Sequence, residues 1–405
     1  MRSLLVRLHR WFGLFAAVFL FIAGLTGAVI SWDHELDEWL NPHLFRSTTP
    51  GQPLPSTELA TRLEAAEPRL RVRYLPLSVE PGHSLGVFVE PRIDPASGKP
   101  FALGFNQVAL DPVSGAVLGQ REWGALSLQR ENVLPFLYKL HYSMHIPDGF
   151  GLQLGVLLMG ILALAWVLDC LIALELSFPS RAAWRRSFAF RWKAGGYRLN
   201  FDLHRSGGVW LFPLLLILAV TSVAMNLREE VMRPLVARLS SLSPSPFADR
   251  RPAPPNRPVE PLLGFADAVR LANAEAARRG WQMPAGGVML SSPFGVYGVG
   301  FFEVGNGHGD GGLGNPWLYF DSRDGTLVGS SIPGEGSAGD IFLQAMFPLH
   351  SGRIAGVPGR ILVSLCGLAV AVLSVTGVVI WARKRRARGL KDRSPSSMQR
   401  AAATT

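Results

Sequence analysis

Cysteine is scarce in this chain: its 405 residues include only Cys170 and Cys366, and both fall in long apolar stretches. Free cysteine in such surroundings is an ordinary small packing residue. Two separate thiols exclude a disulfide framework, and they exclude zinc or iron–sulfur sites built on cysteine. Any metal chemistry has to rest on other side chains.

Charged residues are also few, at 17% of the chain against 48% hydrophobic residues, and the mean hydropathy is +0.22. This balance is typical of membrane proteins. Four strongly apolar runs contain no charge at all: 11–32, 149–168, 206–226 and 361–382. Each has the roughly 20 residues that a helix needs to cross a hydrocarbon core of about 30 Å. The predicted fold class is a polytopic α-helical membrane protein with four transmembrane helices and both termini on one side.

Acidic residues are nearly absent from three basic stretches. Lysine and arginine number 3 in 1–10, 7 in 181–205 and 8 in 383–400, whereas the only acids there are Asp202 and Asp392. Short loops rich in lysine and arginine face the cytoplasm. The two termini and the basic loop are thus predicted to be cytoplasmic, with the other segments in the periplasm outside a bacterial inner membrane. Basic residues that flank membrane spans argue against a nucleic-acid partner.

Nucleotide-binding fingerprints are missing too. The glycine-rich stretch GNGHGDGGLGNP (305–316) precedes a strand pattern rather than a helix, whereas a dinucleotide-binding loop has to open a helix. We therefore interpret it as a flexible hairpin tip. Without a flavin or nicotinamide site, electron transfer would need a membrane quinol or a separate reductase as donor.

What the chain does contain is a pattern that occurs twice. LHRW (8–11) and LHRS (203–206) each lead into an apolar run. Four residues after each histidine comes a glycine, and seventeen residues after it comes a threonine. A second histidine follows leucine before each return span, at His141 and His350. The two halves are therefore predicted to be parallel repeats, related by an axis along the membrane normal.

The segments between the spans repeat as well. NQVALDPVSGAVLG (106–119) and PWLYFDSRDGTLVG (316–329) each show strand, D-x-x-x-G turn and strand, which predicts a β-hairpin. Helical periodicity precedes each hairpin, at 57–68 and 265–280. Each segment is predicted to be a small α+β extracytoplasmic domain, the second with a proline-rich linker at 241–262. The domain order is 1–33 (N-terminus and first span), 34–133 (first outer domain), 134–178 (helix and second span), 179–203 (basic loop), 204–228 (third span), 229–338 (second outer domain), 339–382 (helix and fourth span) and 383–405 (basic tail).

Four histidines lie at the mouths of the spans. By the predicted topology His9 and His204 share the cytoplasmic end, and His141 and His350 share the outer end. Two facing helices can supply both axial imidazoles of a haem iron, so these four residues are the predicted iron ligands. The predicted further contacts are Gly13 and Gly208, which leave room for a flat macrocycle, and Arg10, Arg205 and Arg353, which would pair with its propionates.

Other interpretations of these residues stay open. A histidine at a membrane interface is often only a polar anchor, and zinc or copper could take the place of haem. His145 lies four residues after His141, on the same face of a helix, and is an alternative ligand. Asp169, an acid inside the second span, is a candidate proton relay or the partner of an arginine at the cytoplasmic end. The remaining histidines are interpreted as solvated interface or domain surface: His34, His43, His83 and His308.

Several stretches together resemble the PepSY-associated transmembrane family: LHRWFGLFAAVFLFIAGLTGAVISWDHELDEWLNP, FRWKAGGYRLNFDLHRSGGVW, the LH before the second and fourth spans, and VTGVVIWARKRR. The resemblance covers nearly the whole chain, and the two predicted hairpins (106–119 and 316–329) look like parts of PepSY domains. It implies an iron-regulated inner-membrane protein with two b-type haems on His9, His204, His141 and His350. One departure is LHSGRIAG (349–356), with serine where the family often shows a basic residue.

The resemblance also implies a function. Family members include haem proteins that reduce ferric siderophores in the periplasm. The leading hypothesis is therefore a ferric-siderophore reductase for iron uptake, with electrons moving from the cytoplasmic-side haem to the outer haem and on to a ferric complex. The alternative is an envelope sensor or protease-regulating module, with the membrane part as an anchor. A transporter is disfavoured because broken, charged helices around a midplane site are few.

Overall fold

The computed structural model describes residues 1–178 and 180–392. Pro179 of the predicted basic loop and residues 393–405 of the predicted tail lie outside the described residues. In chain order the α-helices are α1 (Arg2–Ile30), α2 (Asp33–Leu40), α3 (Pro42–Phe45), α4 (Ser56–Ala66), α5 (Val133–Ser143), α6 (Leu154–Ser177), α7 (Gly196–Asn226), α8 (Arg233–Ala237), α9 (Phe265–Arg278), α10 (Ala338–Ser351) and α11 (Gly356–Asp392). The strands are β1 (Leu70–Pro76), β2 (Leu85–Pro91), β3 (Gln107–Leu110), β4 (Val117–Arg121), β5 (Ala285–Ser291), β6 (Val296–Phe301), β7 (Trp317–Asp321) and β8 (Leu327–Ser331).

The chain folds as two compact units. The helical unit comprises Met1–Ser31, Tyr138–Met232 and the residues from Arg360 onward. The sheet unit comprises Trp32–Leu137 and Arg233–Gly359. Each unit is therefore assembled from segments that are far apart in the sequence.

In the described part of the chain, four helices are long and apolar enough to cross a membrane. They are α1, α6, α7 and the segment Arg353–Arg388, which covers most of α11, and their most apolar windows have mean hydropathies of 2.2 to 2.5. The prediction of a four-span helical membrane protein is confirmed at this level. The helices overrun the predicted spans, since α7 begins at Gly196 and α11 continues to Asp392. Hydropathy reports only the apolar length, whereas helical hydrogen bonding continues in water.

Helix α1 packs against α11 through two glycines. A Cβ built on Gly24 would lie 2.5 Å from the carbonyl oxygen of Gly367, and a Cβ on Gly367 would lie 2.5 Å from that of Gly24. Small residues let helix backbones approach closely, which is a main source of helix association in lipid. At the same crossing the Arg360 Nε donates a hydrogen bond to the carbonyl oxygen of Ser31 at 2.8 Å.

The sheet unit contains one eight-stranded antiparallel sheet in the order β4-β3-β2-β1-β5-β6-β7-β8. The sequence predicts two separate outer domains, and this prediction is wrong. Strand β1 of the first segment pairs with β5 of the second at Tyr74↔Met289 and Leu75↔Val288, which joins both segments in one sheet. If each half folded alone, β1 and β5 would be edge strands with unpaired backbone N–H and C=O groups. The pairing of β1 with β5 satisfies these groups in both strands. Helices α4 and α9 share a single buried core with strands of both halves.

The local predictions for the sheet unit hold better than the domain division. The predicted hairpins are β3–β4 and β7–β8, and the predicted helices are α4 and α9. The order of one helix followed by four strands occurs twice in the sheet unit. The glycine-rich stretch is an anchored loop rather than a free tip, because Gly311 N–H donates to the Arg353 carbonyl at 2.8 Å and Asp310 pairs with the Arg353 guanidinium at 2.7 Å.

Asp111 holds the turn of the first hairpin, between β3 and β4. Its carboxylate accepts hydrogen bonds from the hydroxyls of Ser47 at 2.6 Å and Thr49 at 2.5 Å, and from the Ser114 N–H at 2.7 Å. Burial by itself would raise the pKa of this carboxyl. The hydrogen bonds from Ser47, Thr49 and Ser114 outweigh burial and hold the pKa of Asp111 below its usual range.

Acid is therefore expected to destabilise this corner of the sheet. A carboxyl with a lowered folded-state pKa stabilises the fold above its unfolded pKa, about 3.9 for aspartate, and that stability is lost as the pH falls further. Replacing Asp111→Asn should lower the free energy of unfolding by about 1–3 kcal/mol at neutral pH. It should also weaken the acid sensitivity of amide exchange in β3 and β4, measured on the full chain. Unchanged acid sensitivity in the variant would contradict this account.

Candidate functional site

Two of the predicted ligands face each other within the helical unit. His9 lies on α1 and His204 on α7, and their ring centroids are 6.1 Å apart with an angle of 49° between the ring planes. A ligating imidazole nitrogen lies about 2 Å from its metal, and the ring centroid lies about 1 Å further out. Two axial imidazoles on one iron would therefore have centroids about 6 Å apart. The observed separation fits a shared iron.

Asp169 of α6 orients His9. Its two carboxylate oxygens lie 2.9 and 3.0 Å from the His9 Nδ1. The His9 side chain is 29% exposed and that of Asp169 is 13% exposed, so water screens this contact only in part. An ionised carboxylate can only accept a hydrogen bond, so the His9 Nδ1 donates, and Nε2 is the ring nitrogen left to face a metal. The sequence interpretation of Asp169 as a partner of arginine missed this contact.

His204 is oriented in the same way but by neutral acceptors. Its Nδ1 lies 3.0 Å from the Leu373 carbonyl oxygen and 3.2 Å from the Thr376 hydroxyl oxygen, both on α11. The Thr376 hydroxyl donates its own proton to the Val372 carbonyl at 2.8 Å, which leaves its oxygen to accept. A carbonyl cannot donate, so Nδ1–H is the donor and Nε2 is the nitrogen suited to a metal.

His141 repeats this arrangement at the other end of α1. Its Nδ1 lies 3.0 Å from the Ala23 carbonyl oxygen and 3.2 Å from the Thr26 hydroxyl oxygen. The Thr26 hydroxyl donates to the Ile22 carbonyl at 2.7 Å, just as Thr376 does within α11. From His9 to Thr26 the axis of α1 rises about 25 Å at 1.5 Å per residue. The helical unit therefore has an oriented imidazole near each end of the bundle.

Glycines shape the space around these imidazoles. A Cβ built on Gly13 or Gly208 would meet no atom within 4 Å, and their place beside a macrocycle stays a prediction. By contrast, a Cβ on Gly377 would lie 3.0 Å from the His204 Cε1, and one on Gly27 would lie 2.9 Å from the His141 Cε1. The dipeptide Thr-Gly thus supports a histidine in both α1 and α11. Its occurrence in LTG (25–27) and VTG (375–377) was the sequence signal that could have revealed this.

The predicted propionate partners lie in varied settings. Arg205 is already engaged, because its Nη2 donates to the Arg186 carbonyl and lies 3.6 Å from the buried Asp202 carboxylate. Arg353 belongs to the sheet unit, is 8% exposed, and pairs with Asp310. Arg10 lies one residue after His9 on α1, and a role toward propionates stays a prediction for all three arginines.

The outer predicted ligands need one correction. Helix α5 ends at Ser143, and both Met144 and His145 have left-handed backbone conformations, with φ of 53° and 54°. His145 therefore does not share a helical face with His141, because the helix stops before it. His350 lies in α10 of the sheet unit. Its pairing with His141 stays a prediction.

The residues present in the helical unit fit haem better than a bare ion. Within residues 1–178 and 180–392, no group of three or more histidine, cysteine or acidic side chains could hold a metal ion, whereas zinc usually takes three or four protein ligands. Two imidazoles at the separation of His9 and His204 suit a planar group that supplies the other four ligands itself. The candidate ligands are His9 and His204, with Asp169 as the residue that positions His9.

A family model described as PepSY-associated TM region matches residues 6–384. The chain belongs to this family. The match confirms the resemblance noted in the sequence, and it spans both units, from α1 to α11. No protein of curated function matches the chain. The PepSY-associated family assignment therefore places the chain among membrane proteins, and its chemistry has to be argued from the site.

Crowding the glycine beneath His204 should displace that imidazole. In Gly377→Val the new side chain would meet the His204 Cε1 at 3.0 Å or less, so the ring must turn and lose its bond to the Leu373 carbonyl. We expect bound haem to fall by about the 10–100-fold in affinity that loss of such an orienting contact costs. Haem content after dialysis against a haem acceptor measures this. The control is Gly207→Ala on α7, where the nearest atom to the new Cβ is 3.8 Å away; equal losses in both variants would contradict the prediction.

Proposed function

We propose that this PepSY-associated protein is a b-type haem protein of the bacterial inner membrane. In this proposal it moves electrons across the bilayer and reduces ferric iron or a ferric siderophore in the periplasm, for iron acquisition. The observation that carries the proposal is the His9–His204 pair, whose centroid separation of 6.1 Å suits two axial ligands. Its two Nδ1 atoms are occupied by acceptors on other helices.

The protein's own residues would prepare the site in three ways. Hydrogen bonds to Nδ1 hold each imidazole in one tautomer and one orientation. The carboxylate of Asp169 makes His9 a stronger electron donor than His204, whose acceptors are neutral. Gly13 and Gly208 keep side chains out of the space beside the pair. When bound, haem supplies a one-electron carrier whose potential depends on such axial ligands and their partners.

Distance favours two carriers over one. His9 and His141 lie near opposite ends of α1, about 25 Å apart along the helix axis. In the proposal His9 and His204 hold one b-type haem, and His141 holds the second with His350. The basic residues of 1–10 and 181–205 support a cytoplasmic location for the His9 end in this proposal. A membrane quinol or a separate reductase would then donate the electron, and a ferric complex would accept it.

An absorption spectrum of the purified full chain tests the proposal. After expression with haem precursors, we expect a Soret band that shifts on reduction with dithionite, with the spectrum of low-spin iron bound by two imidazoles. Mixing the reduced protein with a ferric chelate should return the oxidised spectrum while an Fe(II) indicator develops colour. A colourless protein would contradict the haem assignment. A haem protein that stays reduced in the presence of ferric chelates would contradict the reductase assignment.

A further inference from the structure

The sheet unit contains a cavity that the haem ligands do not explain. Its volume is about 310 Å³, within the usual range of small-ligand pockets, about 300–1,000 Å³. The wall includes three histidines, His34, His83 and His308, together with Tyr74 and Phe302. From the sequence, these histidines are interpreted as interface or surface residues. Nothing in the sequence shows that α2, the β1–β2 loop and the glycine-rich loop meet.

The floor of the cavity is made of small residues on neighbouring strands. Gly86 of β2 is directly opposite Ala109 of β3, which in turn is opposite Gly119 of β4. A Cβ on Gly86 would meet no atom within 4 Å and would project into open space. Glycine inside a strand costs stability and often marks a place where another molecule approaches the backbone. Here Gly86 leaves the cavity free of a side chain beside β2.

Polar groups with unused hydrogen-bonding capacity line this space. In the described part of the chain, the hydroxyl of Tyr74 and the imidazoles of His34 and His308 have no hydrogen-bond partner. Burial raises the pKa of Tyr74, so its hydroxyl keeps its proton and can donate. His83 is held by contacts at 3.3 Å to the Pro81 carbonyl and to Glu38. The aromatic rings between these groups supply apolar surface.

The cavity has little net charge. Glu80 and Arg121 are the only residues with a formal charge among those that line it within the described chain. Arg121 is already neutralised, because its guanidinium binds the Asp37 carboxylate at 2.6 and 3.0 Å. A highly anionic ligand would find no free cation here and would meet the Glu80 carboxylate. The chemistry favours an uncharged ligand with an apolar surface and several oxygen acceptors.

We infer that this cavity binds the organic shell of an uncharged, oxygen-rich iron chelate. The inference rests on the proposed function for the identity of the ligand, and it assigns that ligand a site in the sheet unit. The Tyr74 hydroxyl and the imidazoles of His34 and His308 donate to its oxygens, and its apolar part lies over Gly86 against Phe302. The glycine-rich loop, anchored by Asp310 and Arg353, forms one wall of the site.

The test uses gallium(III) complexes, which have the charge of their ferric counterparts but are not reduced under the assay conditions. The full chain in detergent is titrated with the uncharged gallium tris-hydroxamate and with the trianionic gallium tris-catecholate, by calorimetry. We expect the uncharged complex to bind and the anionic one to bind at least about tenfold more weakly. Failure of the uncharged complex to bind, or tighter binding of the anionic one, would overturn the inference.

Two variants locate the site. In Gly86→Val the new Cβ meets no atom within 4 Å, so we expect the sheet to fold while the added side chain reduces the affinity at least about tenfold. Tyr74→Phe removes one donor and should weaken binding about fivefold. Gly312→Val is the control, since its Cβ also meets open space but the residue does not line the cavity. Wild-type affinity in Gly86→Val would overturn the inference. Because no electron is transferred, a binding result stands apart from the haem spectrum that tests the proposed function.

Discussion

Replacing His9→Ala or His204→Ala is expected to remove one haem and leave the other. The ring centroids of His9 and His204 are 6.1 Å apart, which suits two axial ligands of one haem iron. With only one of these ligands left, the haem would be bound weakly and would exchange. Total haem per chain should fall by about half, because His141 lies near the far end of α1, about 25 Å away. The haemochrome spectrum of each purified variant measures this content.

The matched control for the histidine variants is His43→Ala. His43 lies in the sheet unit, is largely exposed, and contacts Glu131 at 2.9 Å. Its loss should leave haem content unchanged. Full haem content in both His9→Ala and His204→Ala would show that these residues are not a ligand pair. Loss of all haem in either variant would show that the two levels do not fill independently.

Replacing Gly24→Leu or Gly367→Leu is expected to disrupt the helical unit. Each new side chain would start 2.5 Å from a carbonyl oxygen of the partner helix, and backbone cannot move aside as a flexible side chain can. Separation of α1 from α11 would also pull Thr26 away from its place beside His141 and Thr376 away from its place beside His204. We expect a loss of stability of at least about 3 kcal/mol, together with a loss of haem.

The stability of these variants can be followed by thermal unfolding in detergent and by the yield of monodisperse protein. Gly207→Ala provides the comparison, because it adds a methyl group to a span at an ordinary contact distance of 3.8 Å. Similar melting temperatures for Gly24→Leu and the wild type would mean that α1 and α11 do not pack through these glycines.

The sequence predicts local structure well for physical reasons that act over short distances. Four runs of apolar residues identify the spans, because a helix must satisfy its own backbone in lipid. The D-x-x-x-G turns mark both hairpins, because Asp111 and Asp321 each cap the turn that follows. The basic stretches predict an orientation, and the role of Gly13 and Gly208 beside a haem stays a prediction.

Long-range contacts could not be predicted in the same way. The pairing of β1 with β5 depends on two edges that meet only after folding, so two domains were expected where one sheet forms. The prediction that His141 and His145 share a helical face requires α5 to continue to His145, whereas α5 ends at Ser143. Nothing in the spacing shows that Asp169 contacts His9, since these residues lie on different helices.

Hydropathy alone identifies four helices long and apolar enough to span a membrane, and motif spacing predicts histidines near their ends. Periodicity in a single element reports which face is apolar, and that suffices for these features. Tertiary structure alone decides which acceptor orients each imidazole, where the backbones of α1 and α11 touch, and how His34, His83 and His308 come to line one cavity. Those facts depend on distances between segments that are far apart along the chain, and such distances are set by packing rather than by any local pattern.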